Sequence, residues 1–139
     1  MPKRLSATAE RHADLVRTRL LEVAPTGLAL LELAADCGLS RWQTRRALVT
    51  LRDLCAQEGW PPLLWTRELG YHFCASEPEL EAWELTWVSR ELTQFRRMLT
   101  GTLGPHLQLF PNSAWAEYLT AQFRAIESNL EMAAGYGSQ

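Results

Sequence analysis

The stretch that decides the fold is Leu33-Ala34-Ala35-Asp36-Cys37-Gly38-Leu39-Ser40-Arg41-Trp42-Gln43-Thr44-Arg45-Arg46-Ala47-Leu48-Val49-Thr50-Leu51. Gly38 stands where a helix ends in the left-handed conformation that costs a residue without Cβ nothing. Ser40 follows at once, and its side-chain oxygen suits the exposed N–H groups of a new helix, with Gln43 three residues on to complete a capping box. Thr44, Ala47, Leu48 and Leu51 then recur at three- and four-residue steps, so one face of this helix is buried. The opposite face carries Arg41, Trp42, Arg45, Arg46 and Val49.

Working outward, Leu30, Leu33, Ala34 and Cys37 place a short helix over about 28–37, ahead of Gly38. Before it, Ala13, Val16, Leu20 and Val23 mark an amphipathic helix from about Ala7 to Ala24, ended by Pro25-Thr26-Gly27. The third helix runs on through Leu54/Cys55 until Gly59 and Pro61-Pro62, with Trp60 placed to pack on its last turn. Between Leu63 and Ala75 the composition shifts to aromatic and β-branched residues. Leu64-Trp65-Thr66-Arg67 and Tyr71-His72-Phe73-Cys74, joined by Glu68-Leu69-Gly70, predict a β-hairpin that must lean on the helices, because two strands alone are marginal in water.

The second half reads differently. Ser76-Glu77-Pro78 opens a helix over about 78–99 with Leu80, Trp83, Trp87, Val88, Leu92, Phe95 and Leu99 on a broad apolar stripe. Gly101 to Pro111 reads as irregular. Ser113 caps a last helix bearing Trp115, Tyr118, Leu119, Gln122, Ile126 and Leu130 along one side, and the tail from Gly135 reads as frayed. The expected fold class is therefore mainly α with a small β-hairpin, organised as residues 1–76 and 77–139.

Charge divides the same way. Residues 1–76 hold 10 Lys/Arg and 8 Asp/Glu, net +2, whereas 77–139 hold 4 and 8, net −4, although the whole chain of 139 residues is only −2. Local field over about 8–10 Å decides phosphate contact, not the total. Residues 40–52 contain Arg41, Arg45, Arg46 and Arg52 and no acid.

Two short helices joined by a glycine turn, a third with outward arginines, and then a hairpin resemble the winged helix-turn-helix superfamily of the prokaryotic transcriptional-regulator type. The likeness spans roughly residues 7–75. It implies a recognition helix in the major groove of double-stranded DNA, with Arg41, Trp42, Gln43, Arg45 and Arg46 as contacts and Arg67 of the wing against the backbone or minor groove. Gln43 either caps its helix or reaches an adenine. The sequence departs from the superfamily pattern at Thr44, where an aliphatic residue is commoner, at Trp42, where a small polar one is, and in a wing with one basic residue beside Glu68.

The aromatic C-terminal stripes hold more apolar surface than a three-helix head covers, so Trp83, Trp87, Leu92, Phe95, Trp115, Leu119 and Ile126 are expected at the interface of a homodimer. The resulting expectation is a repressor that binds sequence-specifically as a dimer, with no catalytic activity, cofactor or small-molecule ligand. The competing expectation is a winged-helix protein-interaction module using Trp42, Leu31 and the C-terminal helices. An accessory DNA-binding factor of a phage or plasmid, such as an excisionase or replication control protein, lies between them. No apolar run approaches a bilayer span and no signal-peptide pattern opens the chain, so the cytoplasm, at the nucleoid, is the expected location. Cys37, Cys55 and Cys74 fit neither a disulfide framework nor a paired-cysteine zinc site, and Cys37 and Cys55 read as small buried hydrophobes. His72 and Cys74 share an expected strand face, but zinc wants four ligands and no second pair is spaced to supply them.

Overall fold

The computed structural model describes residues 6–136 and is mainly helical with one small antiparallel hairpin. It divides into two compact units, the first ending at Glu79 and the second beginning at Leu80.

In the first unit α1 (Ala7–Val23) packs chiefly on α3 (Arg41–Glu58), with α2 (Leu30–Cys37) against both. The core is drawn from Ala13, Val16 and Leu20 of α1, Leu33 of α2, and Ala47, Leu48, Leu51 and Cys55 of α3, closed by Leu63. These are the periodic positions of the sequence, because a helix can bury only the stripe that recurs every three to four residues. Between α2 and α3 the chain takes a tight turn. Gly38 adopts φ +65°, and Leu39 and Gly38 donate their N–H groups to Ala34 and Ala35 carbonyls, a Schellman closure. Ser40 then caps α3 through both arms of a capping box.

The hairpin pairs β1 (Leu63–Thr66) with β2 (Gly70–Phe73), Leu63 facing Phe73 and Leu64 facing His72. Its two faces serve different neighbours. Leu63, Tyr71 and Phe73 pack on the helical core, while Leu64 and His72 are buried on the other side. Two expectations are corrected here. The strands lie one residue earlier than the composition suggested, so Arg67 sits in the turn and not in a strand. Leu28 does not begin α2: it forms a bridge to Tyr71, each residue accepting the other's N–H at 2.9–3.1 Å, and the helix starts at Leu30. Sequence periodicity cannot tell a lone bridging residue from the first residue of a helix.

In the second unit α4 (Glu77–Met98), whose first turn belongs to the first unit, passes through a π-helical turn at Leu99–Leu103 directly into α5 (Gly104–Leu109). The expected irregular stretch from Gly101 is thus helical as far as Leu109. Pro105 cannot donate to the carbonyl four residues back and would crowd it, and the wider turn, in which Gly104 N–H reaches Leu99 O, takes up that conflict. After a turn at Phe110–Ser113, α6 (Ala114–Tyr136) runs back antiparallel, its start capped by Ser113 Oγ accepting from Ala116 N–H. The helix continues through Gly135 and Tyr136, where fraying was expected; the remainder of that expected tail lies outside the described residues. Phe95 and Phe123 meet edge-on at 4.8 Å, and Arg96 pairs with Glu127 and Glu131 across the hairpin. Among the described residues, no helix is long and apolar enough to cross a membrane.

Candidate nucleic-acid interface

The first half of α3 presents a cationic and aromatic face. Thr44, Ala47, Leu48 and Leu51 are buried, which turns Arg41, Trp42, Arg45, Arg46, Val49 and Arg52 to solvent, all six in the exposed class. Thr44 fits its buried position because its hydroxyl donates to Ser40 O at 2.8 Å, so no polar atom is left without a partner.

Among the described residues, none of Arg41, Arg45, Arg46 and Arg52 is in an ion pair. Arg46 rests over the ring of Trp42 at 5.0 Å, one helical turn apart, an arrangement that orders the guanidinium without neutralising it. By contrast Arg19 is consumed between Asp36 and Glu22, and Arg17 lies on Trp60. Gln43 takes the capping alternative: its Oε1 accepts the Ser40 N–H at 2.9 Å while its own backbone N–H is held by Ser40 Oγ at 3.0 Å, so its amide oxygen is committed to the cap. Arg67 is exposed at the tip of the hairpin, where Leu69 N–H closes the turn on Thr66 Oγ1 at 3.2 Å.

The start of α1 and its capping residue Ser6 join this face. Ser6, Thr8, Ala9 and His12 form, with Trp42 and Arg46, the walls of an open groove of about 670 Å³ beside α3. The sequence held no signal for them, since which turn of α1 crosses α3 depends on three-dimensional packing.

The residues expected at a dimer interface separate into two groups. Leu92 is buried inside the second unit, and Phe95 is half-buried with its ring on Phe123. An apolar stripe on a helix has to serve its own partner helix first, and these two do. Trp87, Trp115 and Ile126 are exposed, whereas Trp83 and Leu119 are half-buried.

The remaining chemistry is structural. His72 is engaged at both ring nitrogens, by Gly70 O and Glu79 Oε1, and Cys74, beyond the end of β2, donates to Ser76 O. Among the described residues, no group of three metal-ligating side chains converges. Burial pushes the Cys37 and Cys55 thiols up from their ordinary value, away from nucleophilic use. Comparison with family models, with curated proteins and with solved structures found no match.

Proposed function

We propose that this protein is a winged helix-turn-helix regulator that binds double-stranded DNA as a homodimer and works as a repressor by occupying its site, without catalysing a reaction. In this reading α3 enters the major groove. Arg45 and Arg46 supply planar forks that match the two acceptors of a guanine edge, Arg41 and Arg52 reach the flanking phosphates, and Arg67 anchors the hairpin on the neighbouring backbone. Acting on DNA places it at the nucleoid, in the cytoplasm.

The observation that carries the reading is the set of four exposed guanidinium groups on one side of α3, with no ion-pairing acid among them and none in the sequence from residue 40 to 52. Unpaired arginines held on a rigid helix by a buried opposite face are what phosphate and base recognition requires. Arg19 and Arg96, by contrast, are taken up by carboxylates.

A second reading has its own observation. Trp42 is 65% exposed and Val49 59%, and Leu31 on α2 is 65% exposed, so this face also offers apolar surface to a protein. Selection of bound duplexes from a random pool separates the two. A recurring consensus, lost in the Arg45→Ala/Arg46→Ala double variant while its circular dichroism spectrum is unchanged, supports DNA recognition. Recovery of unselected sequence, with binding indifferent to salt, refutes it.

A further inference from the structure

The α6 helix carries two stripes side by side. One faces α4 through Phe123 on Phe95 and Glu127 on Arg96, and in line with it Ala116 is buried and Leu130 half-buried. One residue earlier at each step runs a second stripe, from Trp115 to Tyr136 in alternating steps of four and three. That is the heptad spacing of a helix seam, and apart from half-buried Leu119 this stripe lies open: Trp115 is 62% exposed, Ile126 36% and Tyr136 83%. On α4, Trp87 and Met98 stand at the same one-residue offset from half-buried Val88 and Leu99, which on antiparallel helices puts them on the same side of the hairpin.

We infer that this side is the seam of the homodimer, with α6 of one protomer lying antiparallel to α6 of its partner about a twofold axis at Ile126. The inference deepens the dimer half of the function proposed above by naming the surface and its register. A twofold interface demands that if one residue meets a second, the second meets the first. The residues so paired must then suit one another, and here they do. Antiparallel pairing about Ile126 sets Ile126 on itself, Gln122 opposite Asn129, Leu119 opposite Ala133 and Trp115 opposite Tyr136. Amide meets amide, a large side chain meets a small one, and an indole meets a phenol. Parallel pairing would instead stack Trp115 on Trp115 and Tyr136 on Tyr136.

The available surface is sufficient. At about 150–250 Å² per fully exposed ring, the exposed fractions of Trp87, Trp115, Tyr118 and Tyr136 carry roughly 500 Å² per protomer. Two copies, with Met98 and Ile126 added, therefore reach the lower part of the roughly 1,200–2,000 Å² range of stable interfaces. The hairpin needs that cover, because among its described residues only Leu92, Leu103 and Ala116 are buried. Closing two such faces yields a four-helix bundle.

Disulfide cross-linking in the full chain, with Cys37→Ser, Cys55→Ala and Cys74→Ser as background, tests the register. Ile126→Cys should cross-link to itself in more than half of the chains. Trp115→Cys mixed with Tyr136→Cys should give a mixed disulfide several-fold above either variant alone. Without cysteine changes the mass should be twice 15.8 kDa, falling to 15.8 kDa in Ile126→Arg at unchanged helicity. Self-cross-linking of Trp115→Cys and of Tyr136→Cys without the mixed product overturns the antiparallel register, and monomer mass for the unmodified chain overturns the seam. DNA retention is read on the same samples. A monomer that still binds duplex leaves the recognition reading standing without the seam, and a cross-linked dimer that ignores duplex does the reverse.

Discussion

His72 Nε2 lies 2.6 Å from Glu79 Oε1, while His72 Nδ1 lies 2.9 Å from Gly70 O. A carbonyl only accepts, so Nδ1 carries hydrogen and donates, and the Nε2–Oε1 contact holds only while one proton lies between the two atoms. The second carboxylate oxygen accepts the Ala75 N–H at 3.0 Å. Glu79 thereby ties the hairpin to the first turn of α4. The Ala75 N–H, and then His72, hold its carboxyl below the ordinary 4.5. A carboxyl lowered by folding contributes stability above its unfolded value and loses it as pH falls through the folded one. Glu79→Gln should therefore cost about 1–2 kcal/mol near neutrality, the scale of a charge-assisted hydrogen bond. The gap from the unsubstituted protein should close as urea midpoints are followed from pH 6 down to about pH 3. A gap that stays constant over that range would remove the carboxylate charge from the account.

Gly27 and Gly70 allow the linker before α2 to lie against the hairpin. A Cβ on Gly27 would stand 2.3 Å from Tyr71 O and 2.4 Å from Leu69 O, and one on Gly70, which has φ +72°, 2.5 Å from Leu28 O. All three obstacles are backbone, so no rotamer change relieves them. Gly27→Ala should cost more than about 2 kcal/mol through displacement of the hairpin, beyond the roughly 1 kcal/mol of an ordinary helix or turn glycine. Gly59→Ala is the control: its φ is +68° but nothing lies within 4 Å, so only backbone strain is charged to it. Equal midpoints for Gly27→Ala and Gly59→Ala in urea unfolding would refute the close-approach argument.

Local signals were the legible part of this chain. Gly38, Ser40 and Gln43 marked the helix-turn-helix junction because capping is decided within a few residues, and the buried stripe of α3 was readable from its period alone. What depends on distant partners was not readable. Leu28 pairs with a residue more than forty positions away, and Gly101 and Pro105 signal a break in any local scheme, yet the helix passes them by widening one turn. The apolar residues of the second half were visible as a set. Their division into Leu92 and Phe95, which are covered within the second unit, and Trp115 and Ile126, which stay exposed on α6, required knowing which helix lies on which. At the candidate interface the arginines were legible and the α1 wall of the groove was not, for the same reason.

Thr44 and Leu51 are both fully buried on α3 and should respond very differently. Thr44 Oγ1 donates to Ser40 O, which already accepts the Thr44 N–H, so losing the hydroxyl leaves no acceptor stranded. Thr44→Val keeps the volume and should shift stability by less than about 1 kcal/mol, the net worth of one neutral hydrogen bond. Leu51→Ala opens a cavity among α1 and α3 and should cost about 2–5 kcal/mol. Urea unfolding monitored by circular dichroism measures both. A Thr44→Val loss as large as that of Leu51→Ala would mean that the hydroxyl supports more than its own turn.

Arg45 and Arg67 separate base reading from backbone anchoring. On the proposed reading Arg67, exposed at the hairpin tip, meets phosphate, which is the same at every sequence. Arg67→Ala should therefore weaken selected and unselected duplexes alike. It should also flatten the plot of log affinity against log salt by about 1, since each phosphate contact releases close to one counterion. Arg45 projects from the second turn of α3, where a fork reaches a guanine edge. Arg45→Ala should cost about 1–3 kcal/mol on the selected duplex and little on unselected DNA, relaxing one position of the consensus. Fluorescence anisotropy at several salt concentrations, on both duplexes, reads the four quantities together. Equal losses on both duplexes for Arg45→Ala would move that residue to the backbone and leave base recognition to Arg46 and its neighbours on α3.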